Sequence, residues 1–598
     1  MKLWSISTTI RNPERLRDFL YILKQLEGLP FNNENQIKYQ ILLIQNRLYK
    51  PTEIPQKYYS YFKKIETKIP YKVAEDIFNF QNYKDPPMRG RQSVNPLNKL
   101  GFSIARNSSG PIKITNLGKL FLRKDYDISY VFLKSMLKLQ FPNLWDTHFS
   151  QKEGFNIAPF IATLKFIDEA NKNFIEKGLT QTEFSLFIPA LINIERFELY
   201  LNKLNEYRKC KNKNNFINKF AQWYYQKDNP SEEQINNFFE YGDNIMRYFR
   251  LTKYFKVSKS EFGAEWRINL EPTRYAEIDF LINNYSGGSI PFSNEEDYYN
   301  YINDIKKPTI LLDNKRIIDS IILSLKSDIN KFVKDNDINL TKNELGILNK
   351  NFEKLQFNVK EKYLNNLREL LVNIRIKSEK ISILNNKDEL KKISGLLKNN
   401  KELRKLSPEE FEKLTSLVLR VFNDEILIKP NYIMDDNGEP IAHAAGNKAD
   451  IECFYKSFNN ICEVTLSQSN TQWIMETQPV MRHLRNFELS YKNNPAYCLF
   501  VAPKVHTDTA YHFWMSNKNG YNGTKQKIIP LTTEQLSKIL DLLLRLTSYG
   551  KRFYHTNIKS LYDSIINSAI KCNGHDKWLN SINEVIYKWE KEILNENE

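Results

Sequence analysis

The sequence lacks several features that define large classes of proteins. It has no run of about eighteen apolar residues, the length that a membrane-spanning helix needs. Residues 1–7 lack the apolar core of a secretory signal peptide. Five cysteines occur, and none has the spacing of a zinc site. We therefore expect a cytoplasmic protein with free thiols, and the Asn-, Lys- and Ile-rich composition suggests a prokaryotic source.

What the sequence does have is length and positive charge. Its 598 residues are too many for one hydrophobic core and predict three or four domains. A hydrophobic content of 41% with 13% aromatic residues indicates a folded protein. The formal net charge of +17 favours a polyanionic partner, for which nucleic acid is the natural candidate.

Two short segments near Asp450 and Glu463 have the pattern of neighbouring strands. Apolar and polar residues alternate after Asp450, and Glu463 lies in a second strand-like run. A two-residue turn at positions 456–457 would place Asp450 directly opposite Glu463 on one face. A turn at 459–460 would instead leave the two acids several residues apart. We favour the first register.

Two adjacent carboxylates repel each other unless a cation lies between them. Glu476 and His483 follow, and Pro479 predicts a helix that starts just after Glu476 and carries His483 near the same face. This arrangement is typical of a divalent-metal site for phosphodiester hydrolysis, and Mg²⁺ suits it because it needs few carboxylates. The alternative is that these acids are ordinary solvated surface residues.

The distribution of histidines raises a competing metal hypothesis, since six of the seven follow residue 440. Zinc sites use histidine, but no His-x-x-x-His pair is present, so zinc hydrolysis is disfavoured. We expect the first of the six to shape the loop that enters the Asp450 strand. The six are His443, His483, His506, His512, His555 and His575.

These segments resemble the cleavage domain of AlwI-type type IIS restriction endonucleases and their related strand-nicking enzymes. The resemblance rests on PIAHAAGNKAD (440–450), CEVT (462–465), ETQPVMRH (476–483), YCLFVAP (497–503) and IIPL (528–531). It continues upstream in GF (101–102), ITNLGKL (114–120) and RYFR (247–250), and it is weakest from about 286 to 407.

The resemblance implies a PD-(D/E)XK fold and a set of site residues. Asp450 and Glu463 would be metal ligands, with the Val464 carbonyl as a further ligand. Glu476 and His483 would complete the site, and Glu412 matches an acid on the preceding helix. The sequence departs from the class pattern in two places, with Ala449 where the class has Pro and Thr465 where it has Lys. A threonine cannot supply a cationic amine, so the general base stays unassigned and the electrostatic role passes to His483, Arg482 or a second metal.

The organisation along the chain predicts a multidomain α+β protein. A short strand, a Thr115 cap and a helix, together with a capping box at Thr180 and a hairpin after Phe255, predict two winged-helix-like DNA-recognition subdomains at 1–150 and 151–285. Residues 286–405 are charge-rich and predict a helical linker. A capping box at Ser407 predicts the start of an α/β restriction-endonuclease-like cleavage domain, 406–598.

The amino-terminal half carries the candidate DNA contacts. Arg89 and Arg91 flank a glycine in a basic stretch, and arginine is the usual reader of guanine edges. The other cations are better candidates for phosphate contacts, although any one of these cations taken alone is better explained as an ordinary solvated side chain. They are Lys99, Arg106, Lys113, Arg247 and Arg250.

Together these features predict a Mg²⁺-dependent, sequence-specific type IIS endonuclease that binds a short asymmetric duplex site and cuts at a fixed distance outside it. One core cuts one strand, so double-strand cleavage would need a transient homodimer or a small companion nuclease subunit, and the host would need a cognate DNA methyltransferase. The alternatives are a site-specific nicking enzyme (the large subunit of a heterodimer), a non-catalytic DNA-binding protein with a degenerate nuclease domain, and a repair or junction nuclease.

Overall fold

The computed structural model describes residues 1–7, 10, 12–63, 68–123, 125–144, 149–259, 262–422, 424–443, 448–552 and 554–595. Part of the PIAHAAGNKAD segment, residues 444–447, lies outside these ranges. The protein is a helix-rich α+β chain with two compact units. The first contains Met1–Ser260, Glu265–Ile329 and Leu345–Arg368, and the second contains Glu261–Ala264, Asn330–Glu344 and Glu369–Glu598. The finer four-part division stays a prediction.

Helices dominate the chain up to residue 385. They are α1 Arg15–Lys24, α2 Asn33–Gln45, α3 Tyr59–Lys63, α4 Tyr71–Phe80, α5 Pro86–Lys99, α6 Asn116–Phe121, α7 Ile128–Lys138, α8 Pro159–Asn173, α9 Gln181–Phe187, α10 Phe197–Lys209, α11 Lys213–Tyr225, α12 Glu232–Arg250, α13 Tyr275–Asn284, α14 Glu295–Asn303, α15 Ile318–Asp335, α16 Lys342–Leu348 and α17 Phe357–Asn385.

Five short strands accompany these helices in the first unit and form two small antiparallel sheets, ordered β1-β2 and β3-β5-β4. The predicted hairpin after Phe255 is confirmed by the pairing of β4 with β5. Thr115 caps α6 by accepting a hydrogen bond from the Gly118 amide at 3.0 Å, and the capping box at Thr180 starts α9. The strands are β1 Ser103–Ile104, β2 Lys113–Ile114, β3 Leu179–Thr180, β4 Phe255–Ser258 and β5 Arg267–Leu270.

The carboxyl-terminal part of the chain alternates strands with helices. Its helices are α18 Lys387–Lys398, α19 Asn400–Leu403, α20 Pro408–Val421, α21 Asn470–Ser490, α22 Thr507–Asn519, α23 Thr533–Ser548, α24 His555–Lys571 and α25 His575–Asn595. Its strands are β6 Leu427–Pro430, β7 Ile433–Met434, β8 Pro440–Ala442, β9 Ile451–Phe454, β10 Asn459–Val464, β11 Ala496–Ala502 and β12 Ile528–Thr532.

Five of these strands form one mixed sheet in the order β12-β11-β10-β9-β6. β10, β11 and β12 run parallel, while β9 is antiparallel to both β10 and β6. Every residue of β11 is buried, as expected for an inner parallel strand that is covered on both faces. The outer strands β6 and β12 contain Pro430 and Pro530.

Helices pack on this sheet and enclose the core of the second unit. α20 contacts β6 and β10, α21 contacts β10 and β11, and α22 and α23 contact β12. The predicted capping box at Ser407 is confirmed: its hydroxyl accepts from the Glu410 amide, and Pro408 is the first helical residue. In the part of the chain that the structure describes, no helix is both long and apolar enough to cross a membrane.

Candidate active site

The hairpin of β9 and β10 brings Asp450 and Glu463 together. The strands pair Ile451 with Cys462, so the next position along the ladder sets Asp450 opposite Glu463. The hairpin closes where the Tyr455 amide donates to the Phe458 carbonyl at 3.0 Å. This is the register of a two-residue turn at 456–457, so that prediction is confirmed. The two carboxyl groups therefore share one face of the sheet.

The Asp450 side chain also bridges to the neighbouring strand. Its Oδ2 accepts a hydrogen bond from the Val464 amide at 2.8 Å. Because Glu463 comes directly before Val464, this bond fixes the Asp450 carboxylate against the end of β10. Glu463 is only 6% exposed.

Helix α21 supplies Glu476 and His483, but it begins earlier than the sequence predicts. It starts at Asn470, with Ser469 as its cap, so Glu476 lies inside the helix and Pro479 interrupts it from within. The prediction of a start just after Glu476 is therefore wrong: packing on the sheet holds the helix together across a proline that lacks an N–H group. The expectation that Glu476 and His483 share a face is confirmed by their spacing of two helical turns.

His483 and Thr465 connect this helix to β10. His483 Nδ1 lies 2.8 Å from Glu463 Oε1. Burial raises the pKa of Glu476, and the nearby Thr465 hydroxyl opposes that shift. Thr465 thus lies near an acid of the same cluster.

Helix α20 places Glu412 beside the same cluster. The side chain is 5% exposed, and in the described part of the chain its Oε2 has no hydrogen-bond partner. Its Oε1 lies 3.4 Å from His443 Nδ1. Helix α20 packs against β10, and after burial the negative charge of Glu412 also raises the pKa of both Asp450 and Glu463.

The electrostatics of the site are those of crowded, buried acids. Burial raises the pKa of Asp450 and of Glu463 well above their usual values, and neighbouring carboxylates raise both further. Burial also raises the pKa of Glu412 and Glu476. A divalent cation would relieve this repulsion and allow the acids to ionise.

The environment of His483 keeps it neutral. Burial, followed by the positive charge of Arg482, lowers its pKa to about 4. A neutral imidazole can donate from Nδ1 to an ionised Glu463 and carry its lone pair on Nε2. That Nε2 is buried and, among the described residues, has no hydrogen-bond partner.

The donor set fits a small hard cation. Asp450 and Glu463 offer carboxylate oxygens, and the Val464 backbone offers a carbonyl beside them. Among the described residues, no three His, Cys, Asp or Glu side chains stand at metal-ligand spacing from one another. Few protein ligands suit Mg²⁺, which keeps water and substrate oxygens in its remaining positions. The buried, unpartnered Glu412 Oε2 is a further polar atom that a hydrated cation could satisfy.

The candidate base readers lie on helix α5. The basic stretch that begins at Pro86 is helical, with Asp85 as its cap. Arg91 forms an ion pair with Asp85 at 2.6 Å and donates to Gln36 at 3.0 Å. The Arg89 guanidinium lies 5.3 Å from the centre of the Tyr83 ring. Both arginines thus already have partners in the protein.

The predicted phosphate contacts differ in exposure and in their partners within the protein. Lys99 donates to the Ser5 carbonyl at 3.2 Å and lies near two phenylalanine rings, which leaves it half-buried. Lys113 is exposed at β2, and the exposed Arg247 forms an ion pair with Asp243 at 2.9 Å. Arg106 and Arg250 are half-buried. The structure therefore brings the five predicted cleavage-site residues together, while the DNA contacts stay a prediction.

A comparison with protein families decides the identity of the chain. The family model of AlwI restriction endonucleases matches residues 98–539. The chain belongs to this family. It is thus a restriction endonuclease, a nuclease that acts on DNA. A search among curated proteins finds no match.

Three solved structures resemble this AlwI-family endonuclease. The small subunit of the heterodimeric restriction endonuclease R.BspD6I is 25% identical, with 33% of this chain and 98% of that chain covered and a TM-score of 0.28. The BpuJ1 endonuclease binding domain, solved with modified DNA, is 12% identical over 48% and 91%, with a TM-score of 0.31. Restriction endonuclease FokI is 11% identical over 94% and 99%, with a TM-score of 0.22. At these TM-scores the overlays carry no argument.

Sequence reasoning about this AlwI-family endonuclease missed one feature of the site. The loop that His443 is predicted to shape includes residues 444–447, which lie outside the described residues. The structure shows the imidazole itself between Glu409 and Glu412, two acids on one face of α20. The acidic residues at the start of α20 were visible as a helix signal. Nothing in local spacing indicated that one of them would meet a histidine so far along the chain.

Proposed function

We propose that this AlwI-family endonuclease is a type IIS enzyme that binds a short asymmetric duplex site and hydrolyses phosphodiester bonds at a fixed distance outside it, using Mg²⁺. The observation that carries the proposal is the placement of Asp450 opposite Glu463, with Glu463 buried, Asp450 half-buried and the pKa values of both raised. Burial and mutual repulsion make two such carboxylates unfavourable unless a cation binds between them.

In this proposal Asp450, Glu463 and the Val464 carbonyl hold the metal. When bound, Mg²⁺ lowers the pKa of a coordinated water and offsets charge on the scissile phosphate. The Val464 amide holds Asp450 in place, and His483 holds Glu463 through the 2.8 Å contact at Oε1. Such contacts orient the ligands of a metal and favour their ionised form.

The positive charge that the class pattern assigns to lysine has to come from another residue. Arg482 is the best candidate, because its charge already acts on Glu463 and His483. Thr465 would instead hold Glu476 at the edge of the site. We propose that Glu476 and His483 complete the cluster without being ligands themselves.

We assign DNA recognition to residues 1–285, as two winged-helix-like subdomains, and cleavage to a PD-(D/E)XK-like domain at 406–598, joined by a helical segment at 286–405. That segment contains helices and no strand among its residues, all of which the structure describes. Arg89 and Arg91 would read base edges after exchanging their present partners for DNA, and Lys99, Arg106, Lys113, Arg247 and Arg250 would contact phosphates.

One acid cluster cuts one strand. Double-strand cleavage would then need a second core, supplied by a transient homodimer or a companion nuclease subunit, and a chain acting alone would nick. The host would protect its own sites with a cognate methyltransferase.

The test is cleavage of supercoiled plasmid with and without Mg²⁺. We expect discrete products from the wild type, and a loss of about a thousandfold or more in rate for Glu463→Gln, because a carboxylate ligand is lost. Glu592→Gln, an exposed acid on α25, is the matched control and should cut normally. Mapping the ends of the products gives the site and the number of strands cut. Retarded but uncut DNA with every protein would instead identify a non-catalytic DNA-binding protein.

A further inference from the structure

His443 makes a contact that the proposed mechanism does not use. Its Nε2 lies 2.9 Å from Glu409 Oε1, and its Nδ1 lies 3.4 Å from Glu412 Oε1. The two acids are three residues apart on α20 and therefore share a helix face. The imidazole bridges them from the chain that follows β8.

The charges of this bridge are well defined. Hydrogen bonds to Glu409 and then to Glu412 raise the pKa of His443 to about 10. The hydrogen bond and the charge of His443 outweigh burial at Glu409 and lower its pKa to about 2. At neutral pH the His443 side chain is thus a cationic imidazolium between two carboxyl groups. It forms an ion pair with Glu409 and attracts the carboxyl group of Glu412.

The two carboxyl oxygens of Glu412 have different environments. Oε1 faces the imidazolium, whereas Oε2 is buried and, in the described ranges, has no hydrogen-bond partner. A buried carboxylate oxygen without a partner is costly and therefore indicates a ligand or water that it normally meets. Helix α20, which carries Glu412, packs against β10, the strand that carries Glu463. The charge of Glu412 accordingly adds to the effect of burial in raising the pKa of Asp450 and Glu463.

We propose that His443 is a positioning residue for cleavage. By anchoring Oε1 of Glu412 and using Glu409 as a counter-charge, it leaves Oε2 for the hydrated cation at Asp450 and Glu463. The inference rests on the proposed function, since it gives a role in metal binding to a residue outside the ligand set.

The competing explanation is that His443 only fastens the chain after β8 to α20. A second histidine in the same unit provides the comparison. His555 Nδ1 lies 2.5 Å from Asp424 Oδ2 at the start of α24, away from the acid pair in sequence and on a different helix. A histidine–carboxylate contact that only stabilises the fold should behave like this one.

The experiment compares His443→Gln with His555→Gln in the full chain. For each protein we would measure kcat and KM on a plasmid with one site, Mn²⁺ affinity by calorimetry without DNA, and the melting temperature. We expect His443→Gln to lower kcat and Mn²⁺ affinity by roughly 10- to 100-fold with little change in KM, as loss of an outer-sphere partner does. His555→Gln should lower only the melting temperature.

Two further variants test whether His443 acts through its contact with Glu409 and through its positive charge. Glu409→Gln should reproduce His443→Gln in part, and the double variant should be no worse than His443→Gln alone, because both changes break one bridge. His443→Arg keeps the positive charge and its donors, and should recover part of the lost kcat and Mn²⁺ affinity.

The outcomes separate this inference from the function on which it rests. A His443→Gln protein that matches wild type in kcat and Mn²⁺ affinity, or that loses only melting temperature, overturns the positioning role alone. A wild type that neither binds Mn²⁺ nor cuts DNA overturns the proposed function and this inference with it.

Discussion

At the scale of single residues, the buried acids make the metal-free protein sensitive to pH. The pKa of Asp450 in the folded chain is raised well above its usual value, so the folded state holds a proton that the unfolded state releases. The stability contributed by that proton is fully present below the usual pKa and is lost as the pH rises toward the raised value. Mg²⁺ should oppose the loss by binding the ionised form.

Replacing Asp450 with asparagine should remove this dependence. In EDTA we expect Asp450→Asn to melt above the wild type, by a margin that widens from about pH 5 to about pH 8. Excess Mg²⁺ should reduce the margin by stabilising only the wild type. Melting curves across pH with both additives measure it. Parallel curves for the two proteins in EDTA would show that Asp450 titrates normally.

The residues that sequence reasoning placed correctly depend on local geometry. A two-residue turn fixes the register of β9 and β10, and the register alone brings Asp450 to Glu463. The contact of His443 with Glu409 has no such local rule, because it joins a loop to a helix across intervening strands. Long-range pairs of this kind follow from packing and not from spacing.

At the scale of elements, helix α21 contains a proline, Pro479, that destabilises the helix. Pro479 lies between Glu476 and His483 and has no N–H group. The carbonyl of Met475, four residues earlier, therefore has no helical hydrogen-bond donor. Proline within a helix costs up to about 3 kcal/mol relative to alanine. Proline is a common cause of a helix kink, and Pro479 lies between Glu476 and His483, the two residues of α21 proposed for the site.

Pro479→Ala should therefore stabilise the protein and impair it. We expect the free energy of unfolding to rise by up to about 3 kcal/mol and kcat to fall, because the two side chains are displaced relative to Glu463. Chemical denaturation and plasmid cleavage test both parts. Leu489→Ala, at an exposed position of the same helix, is the control. A variant that is more stable and fully active would show that Pro479 has no role in geometry.

Helix α5 packs closely against α2 at Gly90, where there is no room for a side chain. A methyl group at Gly90 would overlap the Gln36 carbonyl oxygen, whereas nothing surrounds the same position at Gly346 on α16. Gly90→Ala should cost about 1 to 3 kcal/mol through overpacking. It should also weaken DNA binding, since α5 carries Arg89 and Arg91. Gly346→Ala should be neutral or slightly stabilising. Equal stability of the two variants would contradict the close packing.

The sequence of the basic stretch does not predict which of its cations have partners within the protein. The sequence predicts that its arginines and lysines contact DNA, and this stays a prediction. In the structure Arg91 forms an ion pair with Asp85, and Lys99 donates to the Ser5 carbonyl. Charge alone predicts that a protein binds DNA, but the partners that a cation already has decide which cations are free to do so.

At the scale of the whole molecule, the net charge of +17 should dominate the salt dependence of DNA binding. If six to ten phosphates are contacted, affinity should fall by about 10³ to 10⁵ between roughly 50 and 200 mM salt. Fluorescence anisotropy with Glu463→Gln, which should bind without cutting, measures the slope. A flat response would rule out extensive phosphate contact.

The two prolines in the outer strands of the large sheet bear on how two such molecules can meet. A strand with a proline cannot offer an unbroken row of amide donors, so neither edge of this sheet is a good template for a strand from another copy. Any pairing of two cores would then rely on side-chain surfaces, which can separate readily after cutting. The same edges protect the protein from growing into a continuous intermolecular sheet at high concentration.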